Sequence, residues 1–129
     1  MNIVVFLEIE NNNILPVGME LIGETIEMMG STPHNIHGIA IISKNDSKTS
    51  SIINLGEVKN YLDELFIYEY EDNYLTTEHY KAALCEYVES EEPRILLLGA
   101  TPLGRSCGPR VAAYFKTGIT ADCTEIKYN

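Results

Sequence analysis

The sequence predicts an α/β fold: a five-stranded parallel sheet in the order 3-2-1-4-5, with helices on both faces. Three observations predict it. Short apolar runs alternate with amphipathic stretches five times along the chain, which is the pattern of successive right-handed βαβ units. Ile95-Leu96-Leu97-Leu98 is apolar at every position, as a strand covered on both faces of a parallel sheet must be. The chain has 129 residues, enough for one domain with a continuous core.

The elements follow in order. Ile3 to Glu8 is a buried strand, and Asn11-Asn12-Asn13 is a turn. From Val17 to Met29, Ile22, Ile26 and Met29 fall at i, i+4 and i+7 beside Leu21, so a helix buries that stripe. Gly30 ends it and Pro33 blocks its resumption. Gly38 to Ser43 is the second strand, Asp46 to Leu55 a short helix, and Leu65 to Tyr68 the third strand before an acidic loop, Glu69 to Asn73. Thr77 to about Ser90 is the clearest helix. Tyr80, Ala83, Leu84, Tyr87 and Val88 form its buried stripe, with Thr76 or Thr77 as cap. After the fourth strand, Ile95 to Leu98, a helix runs from Thr101 to Phe115, and Asp122 to Tyr128 is the last strand. The chain stops there with no terminal helix, which suggests a single domain, 1–129, cut from something longer.

The formal net charge is −10. Such a surface repels a phosphate backbone, so nucleic acid is not a predicted partner. The three cysteines, Cys85, Cys107 and Cys123, show no C-x-x-C spacing. They read as small buried hydrophobes in a reducing compartment. There is no basic leader and no apolar run long enough to span a bilayer, so the expected location is cytoplasmic, without membrane insertion.

One local motif resembles a phosphate loop. Gly99-Ala100-Thr101-Pro102-Leu103-Gly104-Arg105-Ser106 fits G-x-x-x-x-G-K-[ST] with arginine for lysine, and it lies between a strand and a helix. Arginine does not reproduce the compact lysine charge, and Pro102 removes a backbone N–H from the cradle. The structural alternative makes Thr101 the N-cap and Pro102 the first helical residue, with Gly104 admitting a close neighbour and Pro109 inside the helix. A start at Ser106 is the other possibility; the earlier start is preferred. Gly104, Arg105 and Ser106 are the residues here that would touch a phosphate. The loop after the first strand carries Glu8 and Glu10, which would repel one, and Arg105 is better explained as a partner for one of those carboxylates, or for a further domain, than as a ligand clamp. His34-Asn35-Ile36-His37 has H-x-x-H spacing between Pro33 and Gly38. It reads as an exposed loop, and no metal site is predicted. His79 receives no role, and spacing alone supports no catalytic residue.

From Leu97 to Glu125 the sequence closely resembles the end of the first domain of electron-transfer flavoprotein alpha subunits. The residues that carry this are Leu98-Gly99-Ala100-Thr101-Pro102-Leu103-Gly104-Arg105, Pro109-Arg110-Val111-Ala112-Ala113 and Thr117-Gly118-Ile119-Thr120-Ala121-Asp122-Cys123-Thr124-Glu125. Looser likeness covers Phe6-Leu7-Glu8, Leu15-Pro16-Val17, Glu20-Leu21 and Tyr74 to Tyr80. Cys107 stands where leucine is usual, Gly108 where alanine is usual, and Gly18 where serine is common. The resemblance implies a Rossmann-like, adenine-nucleotide-hydrolase-like scaffold without catalytic residues. It implies contact with a beta subunit, and passage of electrons from flavin dehydrogenases to a quinone reductase or other acceptor. It places FAD mainly in a carboxyl-terminal domain that this chain lacks, so no cofactor is expected here. The alternative function is a stand-alone nucleotide-binding module using the Gly99–Ser106 loop. A flavodoxin-like carrier is disfavoured by the acidic first loop.

Overall fold

A computed structural model describes residues 2–44 and 54–114, and the backbone of two short strands at 119–120 and 125–127. The elements are β1 (Asn2–Leu7), β2 (Ile9–Glu10), β3 (Asn13–Ile14), α1 (Pro16–Met29), β4 (Asn35–Ser43), a 3-10 turn (Gly56–Asn60), β5 (Glu64–Tyr70), α2 (Thr77–Glu91), β6 (Ile95–Leu97), α3 (Pro102–Tyr114), β7 (Ile119–Thr120) and β8 (Glu125–Lys127). The expected helix Asp46–Leu55 falls almost entirely outside the described residues.

Four strands, β5-β4-β1-β6, form the parallel sheet. β1 pairs with β4 from Asn2↔Asn35 to Leu7↔Ala40 and with β6 from Ile3↔Ile95 to Val5↔Leu97. The fifth parallel strand of the sequence reading is corrected. β8 lies beside β6 but runs antiparallel to it, and β7 pairs with β8 at the outer edge, also antiparallel. β7 therefore runs in the sense of β6 and is the strand that the α3 crossover delivers. β8 is its hairpin return, inserted between them. A crossover followed by a hairpin gives one parallel and one antiparallel strand, whereas a crossover alone would have given the all-parallel sheet.

Both faces of the sheet are covered, which is why β1 is buried on each side. Val4 and Phe6 face α2 and α3, packing with Leu84, Tyr87, Val88, Cys107 and Val111. Ile3, Val5 and Leu7 face α1 and the 3-10 turn, packing with Leu21, Ile22, Met29 and Val58. Each such aliphatic side chain contributes ~1.5–3 kcal/mol when fully buried.

Three further readings change. In α1 the buried residues are Gly18, Leu21, Ile22, Thr25 and Met29, and Ile26 is 42% exposed. At 3.6 residues per turn, Ile26 sits roughly 80° from the centre of that face. Thr25 takes the inward position by donating its hydroxyl to the Leu21 carbonyl, 2.9 Å away. β4 begins at Asn35 rather than Gly38, so the His34–His37 segment is mostly strand, not exposed loop, and His37 is buried. β5 continues through Tyr70 into the expected acidic loop. The asparagine turn does form. Asn11 and Asn12 both have positive φ, 51° and 63°, and they close the small β2–β3 hairpin, a conformation asparagine tolerates well.

Candidate functional site

The chain leaves β1 for α1 on one face and leaves β6 for α3 on the other. The crevice between the carboxyl ends of β1 and β6 is thus the topological switch point, where open α/β sheets take ligands. Two segments build it: Glu8 just after β1, and Gly99 to Thr101 between β6 and α3.

Thr101 caps α3. Its hydroxyl oxygen accepts the Gly104 N–H at 3.0 Å, and its carbonyl accepts the Arg105 N–H at 2.9 Å. Pro102 is the first helical residue, where its missing N–H costs nothing. The earlier of the two sequence-based starts is therefore the one adopted, and Pro109 lies inside the helix. The Thr101 hydroxyl donates to Oε2 of Glu8 at 2.6 Å. Glu8 is only 6% exposed, so its carboxylate sits in protein at the amino end of α3.

The residues expected to touch a phosphate are not arranged as a cradle. A Cβ on Gly104 would lie 1.9 Å from the Gly99 carbonyl oxygen. Glycine is needed there so that α3 can rest on the preceding loop. Gly99 is crowded too, by side chains: its Cβ would meet Val17 Cγ2 at 2.4 Å and Glu8 Oε2 at 3.3 Å. Arg105 is exposed. Among the described ion pairs it has no carboxylate partner, so its expected pairing with Glu8 or Glu10 is replaced by the Thr101–Glu8 bond. Ser106 is 3.0 Å from the hydroxyl of Thr77 and links α3 to the start of α2. Beside it, Arg110 donates to Glu78 at 2.8 Å. Cys107 is fully buried. Its thiol is pushed up to about 11, first by burial and then by the negative charge of Glu8. Cys85 is buried too, and its thiol is also raised, chiefly by burial; Cys123 lies outside the described residues.

A second polar cluster lies toward the opposite end of the sheet. His37 Nδ1 is 2.7 Å from the Tyr87 hydroxyl, and Phe66 packs edge-on against Tyr87. Nε2 of His37 is 3.5 Å from Glu64 Oε2, and one ligand atom each from His37, Glu64 and Glu91 lie within 4.8 Å of one another. These are residue types that hold divalent ions. Burial and the nearby Glu91 keep the Tyr87 hydroxyl protonated far above its ordinary range. His37 is its only hydrogen-bond partner among the described residues. The Tyr87 hydroxyl thus engages Nδ1, and Nε2 is the ring nitrogen that faces Glu64. Sequence reading missed this cluster because its members are 50 residues apart.

His79, without a role in the sequence, completes the start of α2. Its Nδ1 accepts the Thr76 N–H at 2.9 Å, and Nε2 bonds to Asp72. The spacing Thr76-x-x-His79 was a legible signal, a capping box with histidine in place of glutamate. Among the described residues no helix is long and apolar enough to cross a membrane.

Comparison with known proteins agrees with the resemblance in the loop. The electron transfer flavoprotein domain model matches residues 3–129. The LctC subunit of the NAD(+),ferredoxin lactate dehydrogenase of Acetobacterium woodii is 33% identical over 98% of this chain and 30% of its own length. Protein FixB of Rhizobium meliloti is 34% identical over 97% of the chain and 35% of its own. The electron transfer flavoprotein subunit alpha of Thermoanaerobacterium thermosaccharolyticum is 30% identical over 93% of the chain and 35% of its own. The chain thus spans about a third of the length of these relatives. A match over nearly all of its residues settles the family: the chain belongs to the electron transfer flavoproteins, on the alpha-subunit side.

Proposed function

We propose that this chain is the amino-terminal scaffold domain of an electron-transfer flavoprotein alpha subunit. In this reading it contacts the beta subunit, and the assembled cytoplasmic carrier moves electrons from a flavin dehydrogenase to an acceptor. FAD is held mainly by a carboxyl-terminal domain outside these 129 residues, and the chain itself catalyses nothing. The observation that carries the reading is the family match from residue 3 to 129. The four parallel strands and the switch-point crevice support kinship with Rossmann-like, adenine-nucleotide-binding domains. The Gly104–Ser106 segment is used for packing and interhelical contact, which supports a scaffold over a nucleotide module. Redox chemistry of this kind belongs to organic cofactors.

The test is to purify the chain alone and then mix it with its cognate beta subunit in an ultracentrifuge. The expected result is a colourless chain that forms a complex. A stoichiometric flavin absorbance band in the chain alone, or no complex at any concentration, would refute the reading. The second reading, a nucleotide module, is favoured only by the exposed Arg105 at the start of α3. Titration with AMP and ATP decides it: a micromolar dissociation constant, about −8 kcal/mol, lost in Arg105→Ala, would promote it.

A further inference from the structure

Glu64 and Glu91 bring two acids to the buried ring of His37, and among the described ion pairs neither has a lysine or arginine partner. We infer that this end of the sheet is a binding site for a divalent cation of the zinc class, with Nε2 of His37 and the carboxylates of Glu64 and Glu91 as its ligands.

Four observations carry this. The first is placement. His37 on β4 is paired in register with Glu64, the first residue of β5, and such partners on neighbouring strands project to the same face. Glu91 is the last residue of α2, the helix that covers that face. The second is spacing. Two ligands of a tetrahedral zinc, each about 2.1 Å from the ion, stand about 3.4 Å apart, and His37 Nε2 is 3.5 Å from Glu64 Oε2. A ligand atom of Glu91 lies within 4.8 Å of both, a gap that one side-chain rotation closes. The third is orientation. The His37 ring is held at Nδ1 by the Tyr87 hydroxyl, 2.7 Å away, and packs against the rings of Phe66 and Tyr87 at 5.3 and 6.2 Å. A hydrogen bond at the other ring nitrogen is how imidazole ligands are fixed. The fourth is the state of Nε2 itself. His37 is 4% exposed, and among the described residues its one hydrogen bond is at Nδ1. The 3.5 Å to Glu64 is too long for a good second one. A buried polar atom aimed at two acids and left without a hydrogen bond is costly, and a cation satisfies all three groups.

One imidazole with two carboxylates suits zinc, whereas magnesium and calcium favour shells of oxygen alone. The bound ion takes the Nε2 lone pair, and the ring hydrogen then resides on Nδ1 and is donated to the Tyr87 oxygen. The Glu64 side chain is 63% exposed, so the ion enters from solvent and water completes its coordination. The ion ties the edge strand β5 to β4 and to the end of α2. His34, the other histidine of the H-x-x-H spacing, bonds to the Thr32 carbonyl at 2.8 Å and is not among the ligands.

The probe is zinc chloride, titrated calorimetrically at pH 7 into the 129-residue chain freed of metal by a chelator, with magnesium chloride as the comparison. The expected result is one saturable zinc site per chain with a dissociation constant on the order of micromolar, and no saturation by magnesium in the same range. Glu64→Gln and Glu91→Gln keep side-chain size and remove a ligand charge; each should weaken zinc at least about tenfold. His34→Ala should leave it unchanged. Zinc should shift the 15N resonance of His37 Nε2 while Nδ1 keeps its hydrogen. No saturation below millimolar zinc, equal affinity in the natural chain and both glutamine variants, loss of binding in His34→Ala, or zinc on Nδ1 would each overturn the inference.

Discussion

The two buried polar clusters sit toward opposite ends of one sheet and solve opposite electrostatic problems. At the carboxyl end of β1, the Glu8 carboxyl accepts from Thr101 at the start of a helix, where the dipole favours an acid. At the other end, His37 and Tyr87 share a hydrogen bond, and the acid near them, Glu91, closes α2 at its unfavourable terminus. The first cluster is tight because glycines let backbones touch; the second is assembled from side chains on different elements. The comparison teaches that a buried acid here is bound to a helix end and to close packing, whereas the His37–Tyr87 pair is held by side chains reaching across from different elements.

The largest expected effect comes from breaking the close packing. Gly104→Ala would put a Cβ 1.9 Å from the Gly99 carbonyl oxygen, and backbone on both sides leaves nothing flexible to yield. We expect a loss of about 3 kcal/mol or more, measured by urea unfolding, with Gly23→Ala as the control, since a Cβ there meets nothing within 4 Å. Equal effects of the two would remove packing as the reason for Gly104.

The next comparison sets the two buried hydrogen bonds against each other. Thr101→Val removes the donor to Glu8 and the α3 cap together. Tyr87→Phe removes only the hydroxyl that bonds His37 Nδ1. An unpaired buried group costs about 1–3 kcal/mol, more when charged, and a lost cap adds about 1 kcal/mol. Thr101→Val should therefore be the worse of the two by about 1–2 kcal/mol. The reverse order in unfolding experiments would mean that the Glu8 carboxylate is compensated by something other than Thr101.

These effects mark what the sequence makes legible. The Thr101 cap, Pro102 at the first helical position and the buried stripe of α2 are local patterns, and local patterns survive folding. The start of β4 was hidden because Pro33 and Gly38 punctuate it like a loop. Gly38 is in fact strand, and its missing Cβ makes room for Leu7 and Leu62, whose methyls would lie 2.8 and 2.9 Å away. Partners distant in sequence leave no such trace. Glu8 with Thr101 is separated by 93 positions and His37 with Tyr87 by 50. Charge alone suggested Arg105 for Glu8, and a hydroxyl took its place. The β7–β8 hairpin was missed because two residues of β7 are too few for a readable period.

A smaller effect should appear in alkali, beside Glu8. Cys107 loses its proton at about 11 when folded, against an ordinary value near 9.0. The folded pKa is the higher one. The stabilisation is therefore complete below pH 9.0 and is lost as pH rises through about 11, because the unfolded thiol ionises first. Urea midpoints should fall across that window, and Cys107→Ala should remove part of the slope. An unchanged slope in the variant would assign it to other groups, such as Tyr87.

The smallest expected effect has the opposite sign. Glu91 ends α2, whose last turn holds no basic residue, so its charge faces the negative end of the helix and lies near Glu64. Replacing it by glutamine or lysine should stabilise the chain by about 0.3–1 kcal/mol, with lysine the better of the two. The gain should shrink with added salt, because a partly exposed pair is screened within about 10 Å at 0.1 M. Thermal unfolding with a chelator present is the measurement. The chelator matters because an ion held by His37, Glu64 and Glu91 would turn the same substitutions into losses. Destabilisation by Glu91→Lys in chelator would show that Glu91 supports the His37–Tyr87 cluster through contacts and not through charge. That result would erase the contrast between the two ends of the sheet.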